Sequence, residues 1–308
     1  MTIAVLCNNP VAFPALQALQ RQGVAVAVGA DAANKELCAQ LQPFCSSAGF
    51  RLRFFDKETF EPQLNQWLDE VTPDAVLMMT CPFRIPASAL AKPRQGFLNF
   101  HYGLLPQYRG ANPVFEQIRR REPVGGITVH RVDEQIDTGG IVLQQKIPLH
   151  PEETFGLHMD RLALLGAEVL SALLPLLASA NPLPATPQHN DEAHYYKKPV
   201  SEDVTIRWAT MPAADIVALA NACNPWNFGA GTSLSGNTIG INTAAIVNGQ
   251  PSPAQAAGTI LTIDSQAGLT ISTCDNKIIR LDILYINGNF IPGYRLALFG
   301  VLPGMAFI

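Results

Sequence analysis

Residues 2–28 read TIAVLCNNPVAFPALQALQRQGVAVAV. Ile3 to Leu6 is a continuous apolar run, as a strand buried on both faces requires, and Asn8-Asn9-Pro10 supplies the turn that ends it. Phe13, Leu16 and Leu19 then recur at helical spacing within Ala12 to Gln22, Gly23 stops that helix, and Val24 to Val28 is a second strand. The alternation continues with a helix at Lys35 to Ser47, a strand at Arg51 to Phe54, a helix at Glu58 to Val71 and a strand at Ala75 to Met79. Strand and helix in strict alternation predict an α/β fold, a doubly wound, mostly parallel sheet with helices on both faces. Ligands of such sheets lie beyond the carboxyl ends of the strands, which directs attention to the loops after Leu6, Met79 and Phe100.

Farther along, Ile127 to Val132 and Ile141 to Leu149 read as strands, and Thr154 to Leu177 as a long amphipathic helix with Leu157, Leu162, Leu165 and Val169 on its apolar side. The chain then turns proline-rich and polar, which places an inter-domain linker at 181–200 between a domain of residues 1–180 and a second of 201–308. A strand at Val204 to Trp208, a helix at Pro212 to Asn221 and four short β-rich runs follow, between Thr238 and Tyr285. They predict a small β-barrel of OB-like type.

Of the 308 residues, 48% are hydrophobic and 15% charged, the balance of an ordered globular chain. A net charge of -4 gives no global attraction for DNA or RNA. The six cysteines contain no CxxC pair, so neither a zinc knuckle nor a disulfide framework is expected, and no metal site is. No apolar stretch is expected to reach the roughly 20 residues of a membrane span, which makes the expected location cytoplasmic.

The chemistry concentrates in two stretches. In residues 96–110, GFLNFHYGLLPQYRG, Asn99 and His101 stand two apart on a strand and share a face, presenting a carboxamide beside an imidazole as a developing oxyanion requires. In residues 126–141, GITVHRVDEQIDTGGI, Asp137 precedes Thr-Gly-Gly, a turn that sets its carboxylate beside the sheet to orient His101. His130, on the strand facing that loop, is placed to support it. Each residue alone reads as packing or as a turn; their conjunction points to catalysis.

With these residues in view, the chain resembles the folate-dependent formyltransferases, which include the glycinamide ribonucleotide, methionyl-tRNA and sugar-amine enzymes. Their pattern of Asn-x-His, Leu-Leu-Pro and Asp-x-Gly is met by Asn99-Phe100-His101, Leu104-Leu105-Pro106 and Asp137-Thr138-Gly139. Tyr102-Gly103 stands where that family usually has Pro or Ala followed by Ser. The resemblance implies transfer of a formyl group from 10-formyltetrahydrofolate to an amine. Asn99 and His101 would then face the oxyanion while Asp137 manages protons. It implies a pterin pocket from Phe83, Arg84, Ile85, Pro86 and from Val132, Asp133, Glu134, and an acceptor side bordered by Gly103, Leu104 and Arg109. Residues 222–230, ACNPWNFGA, resemble the Asn-Pro-Trp turn of the C-terminal barrel of methionyl-tRNA formyltransferases.

A small amine, an amino sugar or amino-acid derivative, is the expected acceptor. The tRNA enzymes usually carry a basic insertion after the second strand, whereas residues 29–36, GADAANKE, hold one lysine and two acids. Initiator methionyl-tRNA is the alternative acceptor. A folate-binding module without turnover, the alternative of another class, would lack one of the three residues.

Overall fold

In the computed structural model, which describes residues 1–179, 181–249 and 255–308, the opening apolar run forms β1 (Thr2–Cys7), buried from Ile3 onward. It pairs in parallel with β2 (Ala25–Asp31) on one side and β4 (Ala75–Met79) on the other. Between them α1 (Phe13–Arg21) buries Ala15, Leu16, Ala18 and Leu19, a single face at helical spacing. Then come α2 (Lys35–Ala48), β3 (Arg51–Phe55), α3 (Phe60–Val71), α4 (Ala87–Leu90), β5 (Phe97–His101), the two-residue β6 (Arg109–Gly110), α5 (Pro113–Arg119), β7 (Val124–Arg131), β8 (Ile141–Pro148) and α6 (Phe155–Ala178). The main sheet has seven strands in the order β3-β2-β1-β4-β5-β7-β8. The order reverses at β1, so the loops leaving β1, β4 and β5 emerge side by side.

β7 departs from the parallel pattern. It runs antiparallel to β5, with Asn99 opposite His130 and His101 opposite Thr128. Directly opposed residues of such a pair have neighbouring side chains. This register therefore adds a histidine to the Asn99 face.

The chain divides into two units, the first of residues 1–113, 125–147 and 159–196, the second of 114–124, 148–158 and 197–308. The expected division into 1–180, a linker at 181–200 and 201–308 is thereby redrawn, and Ala180 lies outside the described residues. Residues 181–196 belong to the first unit: Leu183 is buried, Thr186 bridges Ile141, and β9 (Tyr195–Tyr196) pairs in parallel with β6. Proline richness here reflects a chain laid along a surface with few neighbours of its own, not a free tether.

A second correction concerns α6, 24 residues long and apolar enough by length and composition to cross a membrane. Its apolarity is used internally, since Leu162, Leu165, Val169, Leu170, Leu173 and Leu177 are buried, although Leu157, expected on that face, is exposed.

The second unit holds α7 (Ala213–Cys223) and an antiparallel sheet of β10 (Ala230–Leu234), β11 (Asn237–Val247), β12 (Ile260–Asp264), β13 (Gly268–Ser272) and β14 (Ile278–Ile286) in the order β10-β11-β14-β13-β12. β15 (Asn289–Pro292) is paired to β14. The expected strand at Val204 to Trp208 is reduced to a bridge between Thr205 and Gly231. Trp226 donates to the Ala222 carbonyl at 2.6 Å and meets Phe115 edge-on, so the Asn-Pro-Trp turn packs this unit.

Under the first sheet, Phe55 is fully buried and meets Phe60 and Trp67 edge-on at 5.5 and 5.4 Å between ring centres. Truncating it removes both contacts and leaves a cavity. Phe55→Ala is expected to cost about 3–5 kcal/mol in urea denaturation; a loss below about 1 kcal/mol would show that this cluster does not anchor the sheet.

Candidate active site

β5 carries Asn99 and His101 toward Asp137, in the turn between β7 and β8. Asp137 has φ +57°, a left-handed conformation that a residue with a Cβ adopts only where its surroundings require it. Gly139 follows, where a Cβ would stand 1.9 Å from the Arg131 carbonyl oxygen, so only glycine lets the turn fold back on β7. The turn brings a carboxylate under cover: Asp137 is 9% exposed and His101 6%.

The carboxylate is shared among four groups. Oδ2 accepts the Gly110 N–H at 2.9 Å and lies 3.7 Å from His101 Nδ1. Oδ1 lies 3.4 Å from both Asn99 Nδ2 and His130 Nε2. Burial alone would raise the Asp137 carboxyl, but the His130 bond, the nearby His101 and the Gly110 N–H outweigh it and hold it at about 2. The carboxylate is therefore charged at neutral pH.

Two carbonyl groups, which can only accept, decide the histidine tautomers. His101 Nε2 lies 2.5 Å from the Tyr108 oxygen and His130 Nδ1 2.8 Å from the Arg131 oxygen, so each of these nitrogens carries a proton. His130 Nε2 lies 3.1 Å from Asn99 Nδ2. Neutral His101 turns a bare Nδ1 toward Asp137. Burial pushes the His101 imidazole below its usual value, with the adjacent Asp137 charge opposing, so it rests neutral.

Thr128, opposite His101, donates its hydroxyl to the Gly103 carbonyl at 2.7 Å and accepts the Leu105 N–H at 3.1 Å, while Gln144 donates to Thr128 and to the Leu105 carbonyl. These bonds pin the turn after His101. At Gly103 a Cβ would lie 2.7 Å from Pro113 and 3.1 Å from His101 Nε2, so glycine here permits the close approach. Leu104, partly buried, accepts the Tyr108 N–H through its carbonyl.

Arg109 is placed differently from the expectation of an acceptor contact. It is 2% exposed and gives its guanidinium to Gln188, Asn190 and Tyr195. The remaining expected residues form two neighbouring loops. Phe83 stacks on Phe60 at 4.2 Å, Ile85 is buried, and Pro86 leads into α4. Arg84 donates to the Glu134 carbonyl at 2.7 Å, tying this loop to the other. There Val132 donates to the Phe97 carbonyl, and Asp133 accepts from Gln135 N–H and the Thr138 hydroxyl. Beside them Leu6, Cys7, Gly29, Cys81 and Phe83 line a shallow depression at the carboxyl ends of the strands. Sequence reasoning singled out neither Thr128, Gln144 nor Gln188, whose contacts join segments distant in the chain.

The His101 shift has a consequence for stability. Because the folded pKa is lowered, the unfolded chain takes up the proton first; the contribution is complete above the ordinary 6.5 and is lost as pH falls below it. The Asp137 contribution is complete above 3.8 and is lost as pH falls through about 2. Urea midpoints of the wild type are expected to fall between pH 7 and pH 5 more steeply than those of His101→Asn. Parallel profiles would contradict a buried neutral imidazole.

The formyl transferase family model matches residues 2–174, and the formyl transferase C-terminal domain model matches 199–291. The methionyl-tRNA formyltransferase of Syntrophus aciditrophicus (strain SB) is 32% identical over 245 residues, covering 77% of this chain and 76% of the relative. That of Stutzerimonas stutzeri (strain A1501) is 32% identical over 230 residues, covering 74% and 70%. Among solved structures, HypX from Aquifex aeolicus in complex with tetrahydrofolic acid superposes with a TM-score of 0.69 at 17% identity. The match covers 96% of this chain and 46% of HypX. An N-formyltransferase from Helicobacter canadensis, in complex with folinic acid and dTDP-3-aminofucose, gives 0.66 at 16%, covering 90% and 97%. At these identities the structures bear on the fold alone.

Proposed function

The chain belongs to the formyl transferase family, an enzyme with 10-formyltetrahydrofolate as donor, and we propose that it formylates the primary amine of a small molecule through Asn99, His101 and Asp137. The observation that carries the choice of acceptor is the connection from β2 to α2, only Ala32 to Asn34. It is pinned at every step. Asp31 accepts the Ala33 N–H, Asn34 caps α2 at Leu37 and donates to Asn8, and no basic insertion interrupts them. With Asp31 and Glu36 beside a single Lys35, this rim offers little to a polyphosphate.

The tautomers support a division of labour. Neutral His101 spends its only N–H on Tyr108, so it becomes a donor toward the cleft only when protonated at Nδ1. As the amine nitrogen bonds to the formyl carbon, negative charge grows on the formyl oxygen and the nitrogen becomes acidic. Its proton passes to His101 Nδ1, with the Asp137 carboxylate 3.7 Å away to offset the imidazolium charge. The imidazolium then faces the oxyanion, and Asn99 Nδ2 gives up its 3.4 Å contact with Asp137 Oδ1 to donate there. As the bond from the formyl carbon to N10 of the folate breaks, N10 takes that proton. Stabilisation that appears only along the reaction raises kcat rather than tightening ground-state binding. The loops of Phe83 to Pro86 and Val132 to Glu134 hold the pterin, and the six free thiols accord with a reducing cytoplasm.

A second reading, a tRNA-borne amine, is favoured by one feature besides the names of the relatives. In the second unit Phe228 and Phe290 are both half exposed, Phe228 stacked on Tyr285 with ring centres 4.5 Å apart and Phe290 tilted against it at 5.0 Å. Stacked aromatics of this kind suit nucleobases.

Incubation with 10-formyltetrahydrofolate and a panel of amino sugars and amino-acid derivatives, read by mass spectrometry, is expected to give an adduct of one formyl group. Formylation of charged initiator tRNA alone, with a rate falling steeply in salt, would replace the first reading by the second. Asn99→Ala and His101→Ala are each expected to lower kcat by about two to three orders of magnitude, the usual loss for one oxyanion donor.

A further inference from the structure

The proposed role of Asp137 leaves open what keeps it in its unusual conformation. Gln188 lies 51 residues away along the chain and donates Nε2 to two carbonyls of the turn, those of Asp137 at 2.9 Å and Gly139 at 2.8 Å. Its amide cannot be reversed. Oε1 accepts both Nε and Nη2 of buried Arg109, at 3.1 and 2.8 Å, and a guanidinium has no acceptor to offer, so the NH₂ end must face the turn. Arg109 is itself held by Asn190 and the Tyr195 hydroxyl and lies over the Tyr195 ring.

The same strap reaches the other side of Asp137. Ala111 N–H bonds the Tyr196 carbonyl and Arg109 N–H the His194 carbonyl, placing Gly110 so that its N–H meets the carboxylate. Gly110 has φ +109°, and a Cβ there would stand 2.1 Å from the Tyr196 oxygen. The backbone and carboxylate of Asp137 are thus both set by residues 188–196.

We propose that Gln188, oriented by Arg109, is a positioning residue for the formyl-transfer step, holding the Asp137 turn so that its carboxylate faces His101. The inference rests on the catalytic reading of Asp137 and adds a specific requirement: an amide donor at 188.

The test compares Gln188→Glu, Gln188→Leu and Asp137→Asn with a control, Gln107→Ala, in the full chain. Gln188→Glu keeps an oxygen for Arg109 but points a second oxygen at two carbonyls; Gln188→Leu removes both ends of the amide. Gln107 donates to Glu192 at 2.7 Å, an exposed contact of the same strap away from Asp137. In both Gln188 variants kcat is expected to fall at least tenfold, while KM for 10-formyltetrahydrofolate and its binding measured by calorimetry change less than threefold. Gln107→Ala is expected to stay within twofold of wild type in both. If the Gln188 variants fold and keep kcat within twofold while Asp137→Asn is inactive, the positioning proposal is overturned and the catalytic reading stands. If kcat and folate binding fall together with the melting temperature, Gln188 is merely structural and the proposal likewise fails. Full activity of Asp137→Asn would remove the catalytic reading itself.

Discussion

A buried carboxylate beside two histidines and an asparagine is the constraint around which the first unit is organised. Leaving Asp137 charged inside a protein is costly unless hydrogen bonds and nearby dipoles replace its water. Here the donors are the Gly110 N–H and the Asn99 amide, with His101 and His130 packed beside them. These groups come from β5, from the turn after it and from the antiparallel β7, while the returning strap holds Gly110 in place. The sheet order that sets β5 and β7 side by side is what allows these segments to converge.

The backbone carbonyls have an equal part. By taking one N–H from each histidine, Tyr108 and Arg131 leave His101 with a single open nitrogen and fix the His130 ring with Nε2 toward Asn99. A charged His101 is disfavoured at rest by burial and favoured by Asp137, so the two effects oppose each other at one site. A group balanced in this way responds to charge that develops nearby, which is the requirement of acyl transfer at neutral pH.

Much of this was legible in residue order because it is local. The strand period places Asn99 and His101 together, and Asp-Thr-Gly-Gly announces a tight turn. The apolar runs at Ile3 to Leu6 and Ala75 to Met79 likewise declared the sheet. What residue order did not reveal depends on register and on chain return. Thr128 matters because it stands opposite His101, and Gln188 because a proline-rich stretch doubles back over β6. Arg109 follows Leu-Leu-Pro, which puts it at the acceptor side by residue order; its partners instead lie about 80 residues downstream, at Gln188 and Asn190. The apolar content of α6 exceeds what its amphipathic spacing suggests, and core helices share that composition with membrane helices.

The charge distribution is the central claim, and side-chain nitrogen NMR of selectively labelled histidine observes it directly. At pH 7 the account requires His101 to be neutral with its proton on Nε2, a spectrum that persists as pH is lowered through 6.5, and a still harder protonation in Asp137→Asn, where the carboxylate's pull is gone. A cationic His101 at pH 7, or a proton resting on Nδ1, would contradict it.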